Sequence, residues 1–302
     1  IDQRTGETRV GLYADALDED TEECVYFDGV PDHRKRFVFG VGATAFRYTS
    51  VPEMLEAANS DREAPERQDA LRQLAVQGTA DTVPVLAELL RGEDAGLAHL
   101  ARSAMESMPY PSVDDAFLGA LADLSGPALV GVINSLAVRR TVAAVPALTA
   151  LLSTGDPAVE RAAAIALGSV GTVASGEALL QALPGASDIL LPALYGGMLT
   201  CAQRLSVAGP SVAAQGFCDA LLARLVPQAV REAALRGAIV SRGVEGVPLL
   251  LQVLRGDDPA LARVAIWVAH HDLPGGDVSQ ALAAGLPGLV EERRLLLIDA
   301  LC

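Results

Sequence analysis

The sequence predicts an all-α protein in which pairs of helices stack into an α-α superhelix, preceded by a small β-rich segment. Apolar residues make up 51% of the 302 residues and aromatic residues only 4%, so the core consists mainly of Ala, Leu and Val. This mixture favours closely packed helices over a β-sandwich. From residue 51 onward, an apolar segment with helical spacing recurs at a constant interval. Residues 1–50 instead show the alternation that is typical of strands.

The β-rich segment at residues 1–50 is predicted to form three or four short antiparallel strands, because it is rich in aromatic residues and is punctuated by Gly and Asp. A core of this size is marginal, so the segment either caps the helical region or is the remnant of a larger domain. Its Gly40 and Gly42 form a GxG motif without a helical pattern directly behind it, which predicts a tight turn rather than a nucleotide site. Seven of the eleven Phe and Tyr residues of the chain lie here: Tyr13, Tyr26, Phe27, Phe37, Phe39, Phe46 and Tyr48.

A Val-Pro step followed by a leucine-rich run marks the first helix of three repeats, at Val83, Val145 and Val247, and degenerate versions without Val-Pro lie between them. The leucines that close successive runs are spaced 31 residues apart and are Leu90, Leu121, Leu152 and Leu183. This period predicts about eight helix pairs over residues 51–302, with first helices beginning near residues 52, 84, 115, 146, 177, 215, 248 and 278. The spacing then lengthens once, which predicts an inserted loop near residues 204–215.

The second helix of a repeat has a different signature, which is clearest at Asp156-Pro157 and Asp258-Pro259. The aspartate is placed to cap the helix, and proline takes the first helical position, where its missing N–H costs nothing. The small residues that follow allow close packing. Gly168 and Gly171 are expected to end the helix that begins at Pro157.

These Val-Pro and Asp-Pro signatures resemble the HEAT repeat family, and in particular the short HEAT-like repeats of the phycobilisome lyase type, over residues 51–302. The resemblance implies a superhelix whose inner, concave surface is lined by the second helices. It also implies binding of a protein partner along that surface, as a scaffold or adaptor. The alternative that it leaves open is a lyase or maturation-type accessory enzyme that holds a small molecule in the groove.

The composition limits the kinds of partner that this protein is expected to bind. A net charge of −15 disfavours nucleic acids and anionic membranes, and no apolar run reaches the roughly 18 residues that a membrane span needs. The four cysteines lack CxxC spacing and are expected to be reduced thiols. A cytoplasmic protein with a protein partner is therefore expected, although the first residue, Ile1, leaves a removed signal peptide open.

Catalytic motifs are absent from the sequence, which contains neither a GxSxG motif nor a phosphate-binding GxxxxGK loop. The absence of any His-Glu dipeptide excludes the HEAT-like, iron-binding deoxyhypusine hydroxylases. His270 and His271 are adjacent and diverge on a helix, so a structural or capping role is predicted for them, and His99 is expected on a helix surface. No enzyme activity, metal or cofactor is predicted.

Two charged features are candidates for binding. One feature is a series of arginines on successive second helices, Arg102, Arg161, Arg231 and Arg263. These arginines form either an exposed stripe that receives acidic side chains or, as we expect, a structural ladder paired with capping acids. The other feature is the acidic run at residues 15–23, opposite the basic run at residues 33–36. A solvated turn is the preferred interpretation of these runs, and an electrostatic docking patch is the alternative.

Overall fold

The structure is a computed structural model that describes residues 48, 50–60, 63–273 and 275–301. The predicted strands, the GxG motif and the two charged runs near the N-terminus lie outside these residues, apart from Tyr48 and Ser50. Those predictions remain untested.

Sixteen α-helices and no strand occur in the described part of the chain, which confirms the all-α prediction there. The first helices of the pairs are α1 Val51–Ala58, α3 Val83–Leu90, α5 Pro111–Ala120, α7 Val145–Ala150, α9 Val173–Ala182, α11 Val212–Leu222, α13 Val247–Arg255 and α15 Gly276–Gly285. The second helices are α2 Ala64–Gln77, α4 Ala95–Ser107, α6 Gly126–Arg139, α8 Pro157–Val170, α10 Leu191–Leu205, α12 Gln228–Val240, α14 Pro259–His271 and α16 Glu291–Leu301. Each first helix begins within four residues of its predicted position.

The predicted helix signals act as expected at the starts of the second helices. One carboxylate oxygen of Asp258 accepts hydrogen bonds from the backbone N–H groups of Ala260 and Leu261, at 2.9 and 3.1 Å, and Asp156 caps α8 in the same way. Each cap satisfies two N–H groups that have no partner within the helix. The local sequence therefore sets where these helices begin.

For the end of α8, the prediction is correct for Gly171 and wrong for Gly168. Gly171 ends the helix with a left-handed backbone (φ 71°), which glycine adopts without strain. Gly168 lies inside α8 and does not end it. Its missing side chain serves packing instead, because a Cβ at this position would lie 2.6 Å from the Cα of Gly197 on α10.

The chain divides into two compact units, one that ends at Ala116 and one that begins at Phe117. In unit 1, α2 packs against α1 and α4, and α3 packs against α4. In unit 2, the second helices from α6 to α16 pack side by side in chain order, and first helices pack against them as another layer. A superhelix that includes both units remains a prediction.

The predicted insertion is a loop at residues 206–211, between α10 and α11. It is tied to the next repeat, because the N–H of Ser211 and the side-chain amide of Gln215 both donate to the carbonyl oxygen of Ser241, at 2.9 and 3.0 Å. The side chain of Val207 in this loop is 83% exposed.

Of the leucines that close the first-helix runs, Leu90, Leu152, Leu183 and Leu254 are buried, whereas Leu121 is half-buried. Leu254 on α13 is 1% exposed and lies in a cluster with residues of α12, α14, α15 and α16, such as Ile239 and Leu282. Among the described helices, none combines the length and the apolar character needed to cross a bilayer.

Candidate interaction surface

The second helices of unit 2 have one side that faces solvent. Helices α8, α10, α12 and α14 each have a second helix on both flanks and first helices beneath them. The remaining side of α8 presents Arg161 and Ile165, and that of α14 presents Arg263, Trp267 and His271, all of them exposed. Residues four apart share one side of a helix. We call this solvent-facing side of α6 to α14 the second-helix face.

Two of the large apolar groups of the second-helix face occupy equivalent positions of their repeats. Ile165 and Trp267 each lie nine residues after the capping aspartate of their helix. The side chain of Ile165 is 50% exposed and that of Trp267 is 44% exposed. Trp267 is the single tryptophan of the chain.

Trp267 is held by groups from two helices. The guanidinium carbon of Arg236, on α12, lies 4.7 Å from the centre of the indole ring, and the ring of His271 stacks on it with centres 4.6 Å apart and planes inclined by 14°. Arg236 also donates two hydrogen bonds to the carboxylate of Asp272, at 2.7 and 3.1 Å. This bond and the negative charge of Asp272 raise the pKa of Arg236 above its ordinary value. These contacts hold the indole in one orientation in the free protein.

Five second helices of unit 2, from α6 to α14, have a charge opposite to that of the whole chain. Helices α6, α8, α10, α12 and α14 together contain six arginines and two glutamates, whereas the chain has a net charge of −15. Three of these arginines, Arg161, Arg236 and Arg263, are exposed. On the second-helix face these three arginines outnumber Asp272, which pairs with Arg236, so the face has a local excess of positive charge on an acidic protein.

The structure distributes the four predicted arginines differently from the predicted ladder. Arg102, in unit 1, forms an ion pair with Glu106 at 2.9 Å, and it lies eight residues after its capping aspartate rather than five. For Arg161, Arg231 and Arg263, no hydrogen bond or ion pair of the guanidinium occurs within the described part of the chain. Among the described residues, these three arginines have no ladder partner.

Only two of the four arginines belong to the second-helix face. Arg161 and Arg263 each lie five residues after a capping aspartate. Arg231 is half-buried and precedes Arg236 by five residues, so it points about 140° away from that side chain around α12. A binding role for any of the four remains a prediction.

Sequence reasoning did not identify Trp267, Arg236 or Asp272 as members of a site. One signal was available, because the aligned Asp-Pro signatures place Trp267 at the position of Ile165. A large apolar residue at this place in two repeats indicates an exposed stripe once the orientation of the helices is known. The contact between Arg236 and Trp267 had no such signal.

Two cysteine thiols of unit 2 are buried and poorly suited to nucleophilic chemistry. Burial raises the pKa of Cys201 to about 11 and that of Cys218 to about 12, with a further contribution from the charge of Asp219. Both thiols are therefore protonated at neutral pH. No cluster of three potential metal-binding side chains occurs among the residues that the structure describes.

Two shallow depressions lie in unit 2, and both are open to solvent. One, of about 470 Å³, is lined by Val247, Pro248 and Leu251 of α13. The other, of about 520 Å³, lies between Pro210 of the inserted loop and Asp272 at the end of α14. Neither encloses a small molecule in the way that ligand sites usually do.

Residues 115–191 match the family model of HEAT repeats, which confirms the predicted resemblance over that part of the chain. A similar solved structure is the complex of CpcE and CpcF of phycocyanin lyase from Nostoc sp. PCC7120, with 18% identity and a TM-score of 0.42 over 74% of this chain and 94% of that chain. Another is the crystal structure of an engineered protein, with 16% identity and a TM-score of 0.43 over 83% of this chain and 71% of that one. No curated protein matches the sequence.

Proposed function

We propose that this chain, which contains HEAT repeats, is an interaction scaffold or adaptor that binds a partner protein on its second-helix face. The observation that supports this proposal best is Trp267, a half-exposed tryptophan held in place by Arg236 and His271. A protein partner is favoured over a nucleic acid or an anionic membrane, because the rest of the acidic chain, with its net charge of −15, repels an extended polyanion even though the second-helix face is positive. The expected cytoplasmic location belongs to the same proposal.

The energetics of protein interfaces favour Trp267 as the centre of contact. Tryptophan and arginine are the residues most enriched among those that dominate binding energy. A side chain that is already ordered loses little conformational entropy when the partner binds. The stacked Arg236 and His271 therefore make Trp267 a stronger contact than a freely rotating tryptophan would be.

Observations elsewhere in unit 2 support a binding role over chemistry on a small molecule. Sites for small molecules bury most of the ligand surface, whereas both depressions are open. Nucleophilic catalysis by cysteine requires a thiolate, whereas Cys201 and Cys218 are protonated at neutral pH.

A comparison of two variants tests the proposal. Immobilised wild type, Trp267→Ala and Leu225→Ala would be exposed to extract of the source organism, and captured proteins would be quantified by mass spectrometry. Leu225 is 96% exposed and precedes α12 rather than lying on the second-helix face, so it is the matched control. We expect at least one protein that wild type and Leu225→Ala capture equally and that Trp267→Ala captures at least tenfold less. If all three capture the same proteins in the same amounts, Trp267 is not the centre of contact.

A further inference from the structure

Arginine and a large apolar residue recur as a pair on the second-helix face. Arg161 precedes Ile165 by one helical turn, and Arg263 precedes Trp267 in the same register of a later repeat. Neither guanidinium forms a hydrogen bond or ion pair with the described residues, and the indole N–H of Trp267 has no acceptor among them. Each pair therefore offers a free cation beside an exposed apolar surface.

Arg236 has a different role from the paired arginines. Its guanidinium is already occupied by the carboxylate of Asp272 and stacks on Trp267, so it positions the indole. Arg161 and Arg263 remain available, and a planar guanidinium recognises a carboxylate through two parallel hydrogen bonds.

None of the acids that the structure describes forms an ion pair with Arg161 or Arg263. Asp156 and Asp258 are engaged at the helix starts, where their oxygens accept backbone hydrogen bonds. On α11, Asp219 is paired with Arg242. The positive charge on the second-helix face is thus open to a ligand of opposite charge.

We infer that the second-helix face binds an acidic, extended segment of the partner protein, with carboxylates at Arg161 and Arg263 and apolar side chains at Ile165 and Trp267. This inference rests on the proposed function and adds the chemistry of the partner. The rest of the acidic chain repels such a segment, which favours binding at this face alone.

The spacing of the two pairs sets the length of the segment. Helices α10 and α12 separate α8 from α14, and packed helices lie roughly 8 to 10 Å apart, so the pairs are about 25 to 30 Å apart along the layer. An extended chain covers this distance with about eight or nine residues. The bound segment should therefore contain two acidic residues, each with an apolar neighbour, about nine positions apart.

A displayed library of random 16-residue peptides tests this inference. Selection on the full chain, with counter-selection on Trp267→Ala, should yield peptides enriched in Asp and Glu with the predicted spacing. A synthetic peptide of the selected consensus would then be titrated against the full chain. The fluorescence of the single tryptophan, Trp267, reports its binding directly.

Matched arginine variants separate local contacts from net charge. The dissociation constant should rise at least tenfold in Arg161→Gln and in Arg263→Gln, and also between 50 and 500 mM salt. Arg224→Gln makes the same change in net charge at an exposed site just after α11, and should stay within twofold of wild type.

The outcomes distinguish this inference from the proposed function. Peptides that depend on Trp267 but are not acidic would overturn the inference and leave the proposed function standing. Failure to select any peptide that depends on Trp267 would count against both.

Discussion

At the scale of single residues, burial decides the chemistry of two cysteines. Cys201 and Cys218 are both fully buried, and Cys201 donates its S–H to the carbonyl oxygen of Thr172 at 3.2 Å. Loss of the proton would place a thiolate in an apolar environment, which is why the pKa of each thiol is raised from the ordinary 9.0 to about 11 and about 12. The folded protein therefore keeps protons that the unfolded chain would release.

This difference predicts a loss of stability in alkali. Above pH 9 the unfolded state binds fewer protons at these thiols than the folded state, so the free energy of unfolding falls by up to about 1.4 kcal/mol per pH unit for each thiol until pH 11. Urea denaturation with a reductant at pH 8 and pH 10.5 measures the fall. In the double variant Cys201→Ala, Cys218→Ala the free energy of unfolding should fall less between these two pH values. An equal fall would show that the two thiols are not its cause.

At the scale of elements, the crossing of α8 and α10 depends on two glycines. A Cβ on Gly197 would lie 2.6 Å from the carbonyl oxygen of Ala164, and a Cβ on Gly168 would be as close to the backbone of Gly197. Both contacts are with backbone atoms, which cannot rotate away as a side chain does. The two helices are therefore as close as their backbones allow.

Two adjacent glycines of α10 test this crossing. Gly197→Ala should destabilise unit 2 by about 1 to 3 kcal/mol, because the helices must separate to accept the methyl group. Gly196→Ala places the same group in open solvent and should be neutral or stabilising by up to about 1 kcal/mol, because alanine is the better helix former. Urea denaturation compares them, and equal stability of the two variants would refute the close crossing.

At the scale of the whole molecule, each repeat is stabilised by its neighbours. The cluster around Leu254 draws its side chains from α12 to α16, such as Leu235 and Leu297. Helix α8 packs between α6 and α10, and neither α6 nor α8 contributes a side chain to that cluster. A defect at Leu254 should therefore act locally, as in other repeat proteins.

Leu254→Ala is predicted to cost about 2 to 5 kcal/mol, because it leaves a cavity between repeats. Amide hydrogen exchange should become faster in α12 to α16 and remain unchanged in α6 and α8. The control is Leu225→Ala, whose side chain is 96% exposed and whose loss should change neither quantity. Uniformly faster exchange across unit 2 would show that the unit unfolds as one body and would contradict the prediction.

The sequence by itself determined the helix pairs of this protein and, to within four residues, where each first helix begins. Periodic leucines, the Val-Pro steps and the capping aspartates act within one helix, so their effect is visible from neighbouring residues alone. The same local logic misplaced one member of the predicted arginine series. Arg102 was aligned with Arg161, although the residue five places after Asp94 is His99.

Only the tertiary structure decided which side chains form the candidate site. Arg236 and Trp267 are separated by 31 residues, and Arg236 and Asp272 by 36, so their contact depends on how α12 and α14 pack. Packing between helices also leaves Arg161 and Arg263 facing solvent. The packing of α8 against α10 changed Gly168 from an expected helix end to a contact between helices. A repeat period states that helices recur, but the angle and distance between them follow from the shapes of side chains far apart in the chain.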